Sequence, residues 1–206
     1  MKQKLSRALT IARSQFRDNT FPEFISMLVK SLFRVEKIVI YEKTLNGDVS
    51  RPASNDIYLS ITKGDLRELE NARKAMTSPC WEFCCDLYDG VSNFFVYKDN
   101  GEIGHISWVY FKGDPNRLID LTTKECEIKF CLTLPQYRGK GIYPAALIRI
   151  QDYLSEKGYR KVFICVREKN FPSIRGIEKA GFSPVFRMKL IKLIGIQVNK
   201  RFATSN

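Results

Sequence analysis

The chain has 206 residues, 44% of them hydrophobic, which is enough for one sizeable folded core and too apolar for a disordered polymer. Its net charge is +12 and its apolar runs fall short of the roughly 18 residues that span a bilayer. That excludes a helical membrane protein and leaves nucleic acid, acidic surfaces or phosphorylated small molecules as partners the field would attract.

Residues 1–17 read as a basic helix, with Leu5, Ala8, Leu9 and Ala12 on one side. No uninterrupted apolar stretch for a secretory signal lies there. A basic, Ser-containing start also suits an organelle transit peptide, but a second patterned helix over 23–33 follows directly, and the cytoplasm is the expected compartment. Residues 1–34 are therefore expected to form a basic helical extension, and 35–206 the main domain.

Val35 to Glu42 reads as the first strand and 46–55 as a polar loop. Ile57 to Ile61 reads as a short strand and Lys63 to Lys74 as a charged helix, while 77–88 carries no clear period. Asn93 to Tyr97 and Ile103 to Tyr110 read as strands joined by the hairpin turn Asp99-Asn100-Gly101. Glu127 to Leu134 is expected to be a strand with Ile128, Phe130, Leu132 and Leu134 on one face. Beyond Pro135 a helical stripe of Ala146, Leu147, Ile150, Tyr153 and Leu154 ends at Gly158. Val162 to Val166 reads as a buried strand, Ser173 to Ala180 as a helix closed by Gly181, and Phe182 to Ile191 as a returning strand. The order strand, helix, strand over 127–166 calls for a parallel pair joined by a helical crossover.

Six cysteines, Cys80, Cys84, Cys85, Cys126, Cys131 and Cys165, show neither disulfide-framework nor CxxC spacing, and His105 is the single histidine. Buried reduced thiols are expected, and no metal site. After Glu178 no acidic residue follows, while Arg187, Lys189, Lys192, Lys200 and Arg201 do. No aromatic or groove-reading motif accompanies this charge, so only weak, salt-sensitive association with nucleic acid is expected, and no specific binding.

The most informative stretch runs Leu132-Thr133-Leu134-Pro135-Gln136-Tyr137-Arg138-Gly139-Lys140-Gly141-Ile142-Tyr143-Pro144. A strand enters a Gly-rich basic loop that opens a helix. Glycines admit inward-pointing amides, and the helix start adds unpaired amides with a partial positive charge. Together they suit a pyrophosphate, with Arg138 and Lys140 adding charge. The stretch matches neither GxxxxGK[ST] nor GxGxxG.

Here the sequence resembles the GCN5-related N-acetyltransferase (GNAT) superfamily, over about residues 93–190 and most closely over 127–182. The family's coenzyme motif, Arg/Gln-x-x-Gly-x-Gly/Ala, is met by Arg138-Gly139-Lys140-Gly141-Ile142-Tyr143 with Tyr in place of the last small residue. The later pattern Asn-x-x-Ala-x-x-Leu-Tyr-Glu-Lys-x-Gly-Phe is met by Asn170 to Phe182, with Ser173 for Ala and Ile177 for Tyr. The resemblance implies an α+β fold: a mixed, mostly antiparallel central sheet with flanking helices, splayed between the strands ending near Leu134 and Val166. Acetyl-CoA would be the co-substrate. Its pantetheine arm would lie along Leu132, Thr133 and Leu134, its pyrophosphate on Arg138, Gly139, Lys140, Gly141, Ile142 and Tyr143, and its thiol end near Asn170 and Ser173.

Acetyl transfer needs a neutral amine, although alkyl amines have pKa values of roughly 10. A base must take a proton, and Glu127, heading the strand to Pro135, is the candidate, with Glu125 in reserve; a surface Glu at a strand edge is the bland alternative. The family's usual leaving-group acid is replaced by Ile177. Tyr143, Ser173 and Cys165 are the substitutes at hand, and Tyr143 is carried as catalytic. The expected activity is transfer of acetyl to a primary amine of a small molecule, an amino sugar on a nucleotide being the leading class. A protein or ribosomal acceptor, or acyl-CoA binding without turnover, stays open, as does a homodimer.

Overall fold

The computed structural model describes residues 33–45, 56–193 and 196–200. The helices expected over 1–17 and 23–33 and the loop over 46–55 lie outside these, apart from Phe33, which opens the first strand. Residues 38–186 form one compact unit, and the described residues 33–37 and 187–200 belong to another. Everything that concerns the site lies in the first.

In that unit the strands hydrogen-bond in the order β2-β3-β4-β5-β6-β1. They are β1 (Phe33–Thr44), β2 (Ile61–Lys63), β3 (Phe94–Asp99), β4 (Glu102–Phe111), β5 (Glu125–Thr133) and β6 (Lys161–Arg167). Every pair is antiparallel except β5 with β6. This is the mixed, mostly antiparallel α+β sheet with one parallel pair that the sequence implies. The parallel pair is joined through a helix, as chain reach demands. β7 (Ser183–Leu193) pairs antiparallel with β8 (Ile196–Lys200) through residues 189–200.

Five helices are described: α1 (Asp56–Leu59), α2 (Leu66–Ala75), α3 (Cys85–Asp89), α4 (Ile142–Glu156) and α5 (Phe171–Lys179). The strand expected over 57–61 is a correction: Asp56 to Leu59 is one helical turn, and only Ile61 enters β2. Its apolar residues are too few to decide between periods. Asp65 starts α2 by accepting the amides of Arg67 and Glu68. The unpatterned stretch 77–88 holds a 3-10 turn, Trp81–Phe83, followed by α3. The β3–β4 hairpin turns on Asn100 (φ 50°) and Gly101 (φ 84°), the two left-handed residues such a tight loop requires.

Two cores flank the sheet. Ala146, Leu147, Ile150 and Leu154 of α4 pack with Ile177 of α5 against Val109, Cys126, Ile128, Val162 and Ile164. On the opposite face Leu69, Phe83 and Cys85 pack against Phe94, Val96, Ile106, Trp108 and Tyr110. Alternation along β3, and along β4 from Ile106 to Phe111, divides their side chains between the two cores.

Candidate active site

β5 breaks that alternation. Ile106 faces Leu132 and Trp108 faces Lys129, so Ser107 alone stands opposite both Phe130 and Cys131. This is a β-bulge, and Phe130 at φ 48° supplies its left-handed residue, a conformation costly for a bulky side chain. One extra residue swaps every later side chain to the other face. The expected single face of Ile128, Phe130, Leu132 and Leu134 is therefore corrected: Ile128 packs under α4, while the other three lie on the opposite face. On its other side β5 stays with β6 only from Glu125–Lys161 to Ile128–Ile164. Beyond that register the strands run on without pairing, leaving a wedge whose backbone groups face each other across a gap.

The loop of interest closes the wide end of this wedge. Gly139 (φ 80°) and Gly141 (φ 78°) are left-handed, and Gly141 is the N-cap of α4 with no side-chain cap. A Cβ at either would meet nothing within 4 Å, so backbone angle rather than crowding demands glycine there. The α4 amides of Ile142 and Tyr143 belong to the first turn and have no intrahelical acceptor, and Pro144 has no amide to leave unpaired.

A cleft of about 610 Å³ gathers Leu132, Thr133, Arg138, Gly139, Gly141, Ile142, Tyr143, Asn170 and Ser173 in one place. Lys140 and Leu134 do not line it: the Lys140 ammonium lies 5.2 Å over the Tyr137 ring, and Leu134 packs on the opposite face. Arg138 curls back, its Nε donating to the Thr133 carbonyl at 3.0 Å. Asn170 caps α5 by accepting the Ser173 amide at 3.4 Å. The residues fit a coenzyme with an anionic middle and a peptide-like arm: amides and a helix N-terminus at one end, an unpaired strand edge along the other.

A polar cluster lies on the α4 side of the sheet. The Tyr143 ring rests against Gly176, where a Cβ would come within 2.5 Å of it. Its hydroxyl lies beside the Cys131 thiol, and burial holds it well above its usual value. Burial likewise pushes Cys131 up to about 12. Cys131 also contacts Ser107, whose Oγ is 2.7 Å from His105 Nε2, and His105 Nδ1 is 2.7 Å from Thr133 Oγ1. Burial lowers His105 to about 3, so it is neutral and one ring nitrogen donates while the other accepts. Both of its ring nitrogens are thus engaged by neighbouring hydroxyls.

Glu127 lies on the other face, opposite Tyr110 on β4 and Phe163 on β6. It is completely buried. Its Oε2 accepts the amides of Leu118 at 2.9 Å and Ile119 at 3.3 Å, whereas Oε1 has no partner. Burial raises its pKa, against the pull of Lys129 and the two amides. The Cys165 thiol lies beside it and is pushed up by burial and then by this carboxylate. Glu127 is thus no surface residue, and the bland alternative is corrected. Glu125 instead accepts the Thr122 amide at 2.8 Å near the far end of the parallel pair. Ile177 is fully buried under α4.

Sequence reasoning missed the bulge and the Cys131–Ser107–His105 chain. A signal for the loop register was nevertheless present. The pattern Gln/Arg-x-x-Gly-x-Gly/Ala is also met two residues earlier, by Gln136-Tyr137-Arg138-Gly139-Lys140-Gly141. In that register both small positions coincide with the left-handed glycines, and Tyr143 replaces nothing. Among the described residues no group of three or more His, Cys, Asp or Glu could hold a metal, and the six cysteines are free thiols. No described helix is long and apolar enough to cross a membrane.

The fold is shared with solved structures. A GNAT-family protein of Novosphingobium aromaticivorans aligns with a TM-score of 0.52 at 19% identity, over 76% of this chain and 63% of its own. A GNAT-family acetyltransferase of Colwellia psychrerythraea aligns with a TM-score of 0.54 at 15% identity, over 82% and 57%. The glucosamine N-acetyltransferase region of a fungal multi-domain β-N-acetylglucosaminidase aligns with a TM-score of 0.54 at 11% identity, over 84% of this chain and 23% of that one. The chain spans about three fifths of the length of the first two. No curated protein matches it in sequence. The model of the acetyltransferase (GNAT) domain matches residues 53–183, well over half of the chain, and with the splayed parallel pair this places the chain in the GNAT acetyltransferase family.

Proposed function

We propose that the protein transfers an acetyl group from acetyl-CoA to the primary amine of a small molecule, an amino sugar being the leading class. The observation that carries this reading is the wedge between β5 and β6, open beyond Ile128–Ile164 and closed by two left-handed glycines at a helix start. An unpaired strand edge suits the amides of a pantetheine arm, and the α4 amides suit a pyrophosphate. The amine nitrogen would bond to the acetyl carbon as the carbon–sulfur bond breaks and the thiolate departs. The ammonium proton would pass to Glu127, through water because the carboxylate is buried about three residues, roughly 10 Å, from the bulge. The Tyr143 hydroxyl would face the departing sulfur. A glucosamine N-acetyltransferase on the same fold shows that such acceptors occur elsewhere on it.

The test is thiol release from acetyl-CoA over a panel of amino sugars, their nucleotide-linked forms, acyclic amines and peptides. Amino sugars are expected to give the highest kcat/KM. Gly141→Glu, which puts a side chain on a left-handed backbone and brings a carboxylate to the cradle, should abolish acetyl-CoA binding in calorimetry. Unchanged affinity in that folded variant would overturn the site, and exclusive turnover of peptides would overturn the acceptor class.

A further inference from the structure

The cleft uses one face of the sheet. On the other face, beside the bulge, stands a group of rings that no step above employs. Trp81 and Tyr88 stack with centroids 4.3 Å apart and planes 4° from parallel. Yet they are 40% and 60% exposed, with Leu87 at 68%. Rings of this size normally bury their faces, and a fixed apolar patch open to water marks a place where something binds.

The stack is held rigidly from below. Trp108 Nε1 donates to the Glu82 carbonyl at 2.7 Å, and Arg73 Nη1 donates to the Phe83 carbonyl at 3.1 Å. Arg73 also grips Asp86 of α3 through two bonds of 2.5 and 2.9 Å, so the elements carrying Trp81 and Tyr88 are tied to each other. Phe83, between them in sequence, is fully buried. Ligand contact with such a surface costs little ordering entropy.

Its position ties the patch to the chemistry. The Trp81 ring lies 6.2 Å from Phe130, the residue on which the bulge turns. Glu82 follows Trp81 in the same 3-10 turn and is half-buried, which puts a carboxylate next to the stack in the chain. A coenzyme arm filling the cleft from the α4 side leaves the rings' side for the amine.

We propose that the Trp81–Tyr88 stack is the acceptor subsite, taking the flat C–H face of an amino-sugar pyranose, with Glu82 receiving the sugar's ammonium group. A pyranose face matches the open outer face of such a ring stack in a way an acyclic amine cannot, and a carboxylate next to it in the chain matches a cation rather than a phosphate. The assignment rests on the acetyltransferase reading, but its test does not require turnover.

Trp81 and the fully buried Trp108 are the chain's two tryptophans, so ligand-dependent fluorescence reports on the stack. The full chain is titrated with glucosamine, and in parallel with ethanolamine, without acetyl-CoA. A saturable Trp81 signal is expected with glucosamine and a far weaker one with ethanolamine. Tyr88→Ala should raise the glucosamine Kd on the order of ten-fold, and Trp81→Leu should do the same by calorimetry. Glu82→Gln should weaken glucosamine but not N-acetylglucosamine. Equal affinities for ring and acyclic amines, or wild-type affinity in Trp81→Leu, overturn the proposal. So does a signal that follows protein dilution instead of sugar, since the patch would then be covered by a second copy. Saturable glucosamine binding without thiol release would uphold the stack and sink the acetyltransferase reading.

Discussion

Tyr143 and Glu127 illustrate how burial sets what a titratable group can do. A phenol held well above its usual value is a weaker acid than a thiol, whose reference pKa is about 8.5. Full proton transfer from Tyr143 to a departing thiolate would run uphill, so the part proposed for it is a hydrogen bond to the growing charge. Such a bond is worth about 1.5–3 kcal/mol. Tyr143→Phe should then lower kcat about 10- to 100-fold with acetyl-CoA affinity unchanged; an unaltered kcat would remove Tyr143 from the reaction. Glu127 is raised by the same burial, which lets its carboxylate take a proton nearer neutral pH. As a base it acts only when ionised, so kcat/KM should fall as pH drops through its pKa. Glu127→Gln should cost about 10²-fold at neutral pH and less at high pH, where the amine is already neutral. The linked effect on folding has the opposite sign. A carboxyl raised in the folded state adds stability below its ordinary value of 4.5, and this is lost as pH rises through the folded value. Glu127→Gln should therefore raise the melting temperature at pH 8 and leave it nearly unchanged at pH 4, which thermal unfolding at the two pH values checks.

Among the elements, α5 and β5 differ in how far their sequences reveal them. The helix expected over Ser173 to Ala180 could be read directly, because a helix and its terminal glycine leave a periodic mark. What it could not show was that Ile177 belongs to the core while its neighbour Gly176 makes room for the Tyr143 ring. Ile177→Tyr should overpack this core at a cost of about 1–3 kcal/mol and lower the melting temperature by several degrees. A well-folded variant with greatly raised kcat would instead mark the native chain as a decayed catalyst. β5 misled for a different reason. Alternation predicts faces only while the ladder keeps one residue opposite one, and the two-for-one step at Ser107 depends on its partner strand. No residue in β5 advertises it, since Phe130 is an unusual occupant of a left-handed position. The backbone geometry of the loop over 138–143 was legible because glycines and a proline serve left-handed turns and a helix start that side chains cannot disguise. Glu127 was legible as an acid on the strand, but its burial comes from the amides of Leu118 and Ile119, carried by a loop without pattern.

At the scale of the molecule, β5 and β6 hold together the halves of the sheet in residues 38–186, yet pair along only part of their length. The gap deprives the free protein of a run of ladder bonds in the middle of its fold. Whatever lies in the wedge becomes, for its residence time, a structural member of the sheet. A ligand that binds only the folded chain stabilises it by about 2.7 kcal/mol at 100 times its Kd. For a domain of this size acetyl-CoA should thus raise the melting temperature by roughly 5–10 °C. Amides of residues 129–133 that point toward β6 should exchange with deuterium quickly in the free protein and slowly in the complex. No melting shift at saturation would mean that the wedge is not where the coenzyme lies. On the proposed reading the same gap would tie the chain's persistence to metabolism: where acetyl-CoA ran short, the sheet would lose its guest strand, open more often, and expose itself sooner to proteases.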